Sequence, residues 1–78
     1  MTEAPMQDLR DHFAHCVQIF GGVTAASRRL GIDERAIRRF VSGELPVSAR
    51  LMQDVGSALR DLVTEATAAE KQIAATKP

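Results

Sequence analysis

Three arginines that could bind an anion stand close together in the middle of the sequence. Arg35, Arg38 and Arg39 fall within five residues, and no acidic residue lies between Arg35 and Val41. At helical spacing these three positions share one side of a helix. A guanidinium group donates paired hydrogen bonds to a carboxylate, a phosphate or the O6 and N7 atoms of guanine. The cluster therefore predicts a surface that binds an anionic partner.

The charge of the chain is unevenly distributed although its total is zero. Residues 21–50 hold six arginines against three acidic residues, whereas residues 1–20 hold one basic residue against three acidic ones. Residues 51–78 hold three basic and four acidic residues. Because a neutral total can conceal a charged region, we expect an anionic partner at the middle of the chain and not at its acidic ends.

The residue types give little support to a metal site, an active site or a phosphate-binding loop. His12, His15 and Cys16 have spacings at which helical residues can share a metal ion, but no fourth ligand is evident nearby, so we interpret Cys16 as a core residue and predict no metal site. A nucleophile with its base needs a cleft, and a chain of 78 residues offers little room for one. No glycine-rich phosphate loop is present, so we predict no enzyme activity, no cofactor and no small-molecule effector.

The composition indicates a folded protein of the cytoplasm. A single cysteine excludes an intramolecular disulfide, and 45% of the residues are hydrophobic. No apolar run approaches the length of a membrane span, and the first residues lack the pattern of a secretory signal. We expect a soluble, cytoplasmic protein associated with the nucleoid, with no membrane partner.

The first helix is predicted from apolar residues at spacings of three and four. They are Met6, Leu9, Phe13, Val17 and Phe20. Pro5 suits the first turn of this helix, and Gly21 and Gly22 end it.

Two short helices follow, separated by a tight turn. The first is predicted from about Val23 to Leu30, and Gly31 ends it. Asp33 is a favourable N-cap for the next helix, which we expect from Glu34 to about Ser42. The apolar stripe of that helix is Ala36, Ile37, Phe40 and Val41.

A long last helix is predicted from about Ser48, with Gly56 weakening its middle. Its apolar residues are Leu51, Met52, Val55, Leu59, Leu62, Val63 and Ala66. We expect one all-α domain over residues 1–66, a small bundle of four to five helices, and a polar tail over residues 67–78 that frays.

The segment from Thr24 to Gly43 resembles the helix-turn-helix of the phage Cro and lambda-repressor-like family. Ser27 stands where the family has a small residue that packs between the two helices, and Gly31 matches the turn glycine. Further matches are the apolar residues Leu30, Ile32, Ile37 and Phe40. The resemblance covers about twenty residues strongly, and it implies a lambda-repressor-like fold and a phage-type regulator, with repression the expected effect.

The resemblance also implies the roles of individual residues. The second of the two helices would enter the major groove of double-stranded DNA as the recognition helix. Expected base-reading residues are Glu34, Arg35, Arg38, Arg39 and Ser42. Thr24, Arg28 and Arg29, on the preceding helix, would contact phosphates. Glu34 departs from the glutamine or serine frequent in the family. It could accept from a cytosine amine, orient Arg38 at the i,i+4 spacing or favour the helix N-terminus, and we expect the second of these roles.

Two further expectations concern partners. A homodimer would bind an inverted repeat, with pairing through the last helix at Leu59, Leu62, Val63 and Ala66, although these residues could instead close the core. The alternative function is that of a small helical adaptor or anti-activator whose arginine face binds an acidic protein.

Overall fold

The fold consists of four α-helices and no strand over the residues that the structure describes. The structure is a computed structural model, and it describes residues 6–76, with side chains from Leu9 onward. The helices are α1 (Met6–Phe20), α2 (Val23–Leu30), α3 (Glu34–Ser42) and α4 (Ala49–Ala75). The all-α prediction and the predicted bounds of the two short helices are confirmed. Pro5 and the side chain of Met6, which the sequence places in the first turn of α1, lie outside the described part.

Glycines end both short helices at the predicted positions. Gly31 closes α2 with φ of 67°, and its N–H donates to the carbonyl of Ser27. Gly43 closes α3 with φ of 87°, and its N–H donates to the carbonyl of Phe40. A residue with a Cβ would be strained in this left-handed conformation, so glycine at these two positions makes the helix ends sharp.

The helix starts differ in how they are capped. Ser48 precedes α4, and its hydroxyl accepts a hydrogen bond of 3.0 Å from the backbone N–H of Leu51. Asp33 occupies the predicted N-cap position of α3, but its side chain makes no capping hydrogen bond. The sequence therefore located the start of α3 correctly, whereas the bond that usually stabilises such a start is absent from Asp33.

The core forms around α1, which packs against all three other helices. Its buried members are Phe13, Cys16, Val17, Phe20, Ala26, Ile37, Val47, Leu51, Val55 and Ala58. The ring of Phe13 meets that of Phe40 edge to face, with centroids 5.6 Å apart. Helix α3 packs on α1 and α2 only, so α4 leaves the other side of α3 uncovered.

The last helix is longer than predicted. Helix α4 continues past Thr67 to Ala75 as one helix of 27 residues, while the fraying of residues 67–78 stays a prediction and Lys77 and Pro78 lie outside the described residues. The residues after Gly56 include no glycine or proline before Pro78, and alanine, glutamate, lysine and glutamine are strong helix formers. All side chains from Val63 to Thr76 are exposed. The second half of α4 therefore projects beyond the core.

The described range contains no candidate for a membrane-spanning helix. Among residues 6–76, no helix is both long enough and apolar enough to cross a bilayer.

Candidate functional site

The exposed face of α3 gathers the arginines that the sequence singled out. Ile37 is fully buried on one side of the helix, whereas Arg35, Arg38 and Arg39 are exposed on the other. The three arginines line one surface depression together with Ser42 and Glu44. The helix thus presents a group of guanidinium groups on a side that the described part of the chain does not cover.

The position of α3 is fixed by contacts on its buried side and in the preceding turn. The hydroxyl of Ser27 donates a hydrogen bond to the carbonyl of Ile32, which ties the end of α2 to the turn. Ile37 enters the core, and Phe40 rests against Phe13. Because both ends of the buried stripe are anchored, rotation of α3 about its axis would expose apolar surface. The direction in which the arginines project is therefore set by packing.

Two of the three arginines pair with acids at the edge of this face. Arg38 donates to Glu34 at 3.1 Å, and Arg39 lies 3.5 Å from a carboxylate oxygen of Glu44. The predicted i,i+4 contact between Glu34 and Arg38 is confirmed. Arg35 has no carboxylate within ion-pair distance among the described side chains. Both pairs are largely exposed, and exposed pairs of this type contribute only about 0 to 1 kcal/mol, so an incoming phosphate can replace the acid.

Ser42 has a hydroxyl that is already engaged. It donates to the carbonyl of Arg39 at 3.2 Å and accepts from the N–H of Glu44 at 3.4 Å. These bonds close the last turn of α3 and lead into the following loop. Ser42 lines the depression as expected, but its hydroxyl is already hydrogen-bonded at the end of α3.

Arg28 and Arg29 lie at a different site from the arginines of α3. They line a depression between α2 and α4, whose other lining residues are Phe20, Ala25, Ala58, Asp61 and Glu65. Both terminal nitrogens of Arg29 donate to the carboxylate of Glu65 at 2.8 Å. These hydrogen bonds lower the pKa of Glu65 and raise that of Arg29. The phosphate-contacting role expected for Arg29 therefore competes with a bidentate bond that links α2 to α4.

Thr24 lies in the first turn of α2 and is exposed. The N–H groups of a first helical turn carry partial positive charge, and a hydroxyl there can add a further donor. Thr24 is thus accessible to a phosphate in the way that the resemblance implies.

Sequence reasoning missed Arg10, which reaches the end of α3 from α1. A Cβ built on Gly43 would lie 2.5 Å from Nη1 of Arg10, so the guanidinium covers the backbone where α3 ends. It also missed the partners Glu44 and Glu65. No local pattern identifies Arg10 or Glu65, since each meets residues more than thirty positions away.

His12, His15 and Cys16, which have the spacing of possible metal ligands in α1, do not converge on one point. Cys16 is buried, as predicted, whereas His12 and His15 are exposed. Burial raises the pKa of the Cys16 thiol and so disfavours the thiolate that would bind a metal.

The four residues expected at a dimer interface divide into two pairs. Leu59 and Leu62 are half-buried and pack against the core. Val63 is 63% exposed, and Ala66 is exposed too. Leu59 and Leu62 therefore help to close the core, whereas Val63 and Ala66 lie wholly outside it.

Comparisons with protein-family models, with curated proteins and with solved structures found no match to this chain.

Proposed function

We propose that this protein is a sequence-specific DNA-binding regulator in which α2 and α3 act as a helix-turn-helix and α3 enters the major groove. The observation that carries the proposal is the free face of α3, where Arg35, Arg38 and Arg39 line one depression while Ile37 on the other side is fully buried. An arginine-bearing helix held rigidly by a core is the arrangement with which many regulators read DNA.

The dimensions of α3 suit a DNA groove. A helix with its side chains is about 10 to 12 Å across, and the major groove of B-DNA is about 12 Å wide. The nine residues of α3 span roughly 14 Å along the helix axis. Because α4 does not pack on α3, that helix does not cover the arginine face of α3.

The arginines of α3 take different roles in this proposal. Arg35 lies in the first turn of α3, so it reads a guanine by paired hydrogen bonds to O6 and N7. Glu34 holds Arg38 in a fixed direction until the helix docks. Arg39 exchanges its contact with Glu44 for a phosphate or a base edge. Thr24 and Arg28 contact phosphates, while Arg29 stays with Glu65.

As a regulator, the protein acts at a promoter as a dimer on an inverted repeat. Occupancy of the site by two copies blocks polymerase, which makes repression the expected effect. Net charge is not the driving force, since the chain is neutral as a whole. Affinity instead depends on the local cluster, and such binding weakens as salt displaces the protein from phosphates.

The test is selection of duplex sequences by the purified full chain, followed by binding measurements over a range of salt concentrations. We expect an enriched half-site and an affinity that falls linearly on logarithmic axes. Arg35→Ala should weaken binding to the selected site by about 5-fold to 150-fold, the loss of one bidentate base contact. The same variant should relax preference at one base pair.

Arg60→Ala is the matched control, because Arg60 is an exposed arginine of α4, the helix that does not pack on α3. It should bind the selected site like the parent protein. Equal affinity for all duplexes, or equal losses for Arg35→Ala and Arg60→Ala, would refute base reading by α3. Binding of an acidic protein by the same face, without any duplex preference, would establish the adaptor function in its place.

A further inference from the structure

The projecting segment of α4, residues 63–75, continues the apolar stripe by which α4 packs on its own core. The stripe runs at alternating spacings of three and four through Met52, Val55, Leu59, Leu62, Ala66, Ala69 and Ile73. Val55 is buried, and Leu59 and Leu62 pack on the core. Ala66, Ala69 and Ile73 are exposed, with Ile73 at 71%. This alternation is the heptad pattern with which helices pair.

The projecting segment has one tertiary contact, the bond from Arg29 to Glu65 near its base, and no other side-chain bond to the core stabilises it among the described residues. Its 13 residues extend roughly 20 Å, and every side chain in it is exposed. Short helices are marginal in water unless an apolar face packs against a partner. Two of the three large exposed apolar residues of the described chain, Val63 and Ile73, lie here. The segment therefore has the exposed apolar residues expected of a helix that packs against a partner.

The charge of the segment favours a second copy over a strongly charged partner. It holds Glu65, Glu70 and Lys71, so it is nearly neutral. An acidic or basic protein would gain little electrostatic attraction from it. A stripe with two small alanines allows close approach of an identical helix.

We propose that two copies pair through this segment as an antiparallel two-helix coil, with Ala66 facing Ala69 of the second copy and Leu62 facing its Ile73.

A parallel pair is disfavoured by the position of the core. Below Leu62 the same stripe is covered by the protein's own α1, and α2 packs beside it, so parallel helices would bring two cores against each other at one level. Antiparallel pairing places the cores at opposite ends.

The spacing that results has meaning only if the proposed DNA binding holds, although the pairing does not depend on it. Val55, at the centre of the core contact of α4, lies on the order of 38 Å along the coil axis from Val55 of the second copy, at 1.5 Å per residue. Helix-turn-helix dimers bind half-sites about 34 to 36 Å apart. The two Val55 residues are thus separated along the coil by a distance close to that between neighbouring half-sites.

The experiment is sedimentation of the full chain without DNA, at protein concentrations up to the millimolar range. We expect a reversible monomer–dimer equilibrium. Ile73→Asp should weaken it at least about tenfold, since the carboxylate would face Leu62 in the seam. Ala68→Asp is the matched control: it adds the same group about 140° around the helix from position 73 and should leave pairing unchanged.

A second pair of variants tests direction. Under oxidising conditions, Ala66→Cys mixed with Ala69→Cys should form a mixed disulfide, because these two positions face each other only in the antiparallel coil. A disulfide of Ala66→Cys with itself would indicate a parallel coil. A chain that stays monomeric at all concentrations, equal effects of Ile73→Asp and Ala68→Asp, or a disulfide of Ala66→Cys with itself and none with Ala69→Cys would overturn the proposal. Because DNA is absent, none of these outcomes depends on whether α3 reads a duplex.

Discussion

At the scale of single residues, the arginines of this protein do different work despite their similar sequence contexts. Arg28 and Arg29 are adjacent, yet Arg29 bonds both oxygens of Glu65 and is only 27% exposed, whereas Arg28 is exposed. Arg35 and Arg38 lie one turn apart, yet only Arg38 is held by an acid. Available charge at a surface is therefore smaller than a count of arginines suggests.

The Arg29 bond predicts a pH dependence of stability. The hydrogen bonds from Arg29 lower the pKa of Glu65 in the folded chain, below the ordinary glutamate value of about 4.3. Their contribution is therefore present above that value and is lost as the pH falls through the lower, folded pKa. Glu65→Gln should destabilise the protein near neutral pH, and the difference from the parent should shrink in acid. Urea unfolding of both proteins across this range measures it.

Glu70→Gln supplies the comparison, because Glu70 is an exposed acid of the same helix. It should match the parent in stability throughout. A Glu65→Gln deficit that stayed constant down to the acid limit would mean that the carboxylate charge does not stabilise the link between α2 and α4.

At the scale of helices, the ends are determined by short-range chemistry of unequal strength. Ser48 caps α4 through a hydrogen bond to Leu51, whereas Asp33 precedes α3 without one. What stabilises the start of α3 is instead the turn: Gly31 in the left-handed conformation and the Ser27 bond to Ile32. A residue of the right type at the right position is thus not always the one that makes the contact.

This contrast predicts different costs for two similar substitutions. Ser48→Ala should lower the free energy of unfolding by about 1 kcal/mol, the usual value of an N-cap hydrogen bond. Asp33→Ala should cost less, since only the interaction of its charge with the helix dipole is lost. Chemical denaturation of the two variants at equal pH compares them. Equal losses would show that Asp33 caps α3 in solution.

At the scale of the whole molecule, the chain consists of a small core and a projecting helix half that adds nothing to the core. The core is centred on α1, and α3 and α4 both pack on α1 without packing on each other. In the proposed function, the face of α3 binds a duplex while the projecting segment of α4 pairs with a second copy.

Deletion of residues 67–78 tests this division. The described side chains of that segment are all exposed, so the truncated chain should retain its free energy of unfolding within about 0.5 kcal/mol when measured on dilute protein. It should also lose self-association. Phe13→Ala is the contrasting variant: it removes a fully buried ring and should cost about 3 to 5 kcal/mol. Urea unfolding and sedimentation give both quantities, and a large loss of stability on truncation would contradict the division.

The sequence by itself determined the helices and the face of α3. Glycines at positions 31 and 43 and the three-to-four spacing of Phe13, Val17 and Phe20 act over a few residues, so their effect can be read locally. The helical continuation to Ala75 also follows from local propensity, since the residues after Gly56 include strong helix formers and no glycine or proline before Pro78.

Only the tertiary structure decided which charges meet and which apolar residues remain uncovered. Arg29 and Glu65 are separated by 36 positions, and their bond depends on how α2 crosses α4. Arg10 reaches Gly43 because α1 packs on α3. Leu62 and Ile73 belong to one stripe, yet only the first lies at the core. Such contacts follow from the angles and offsets of packed helices, which the periodicity of one helix does not contain.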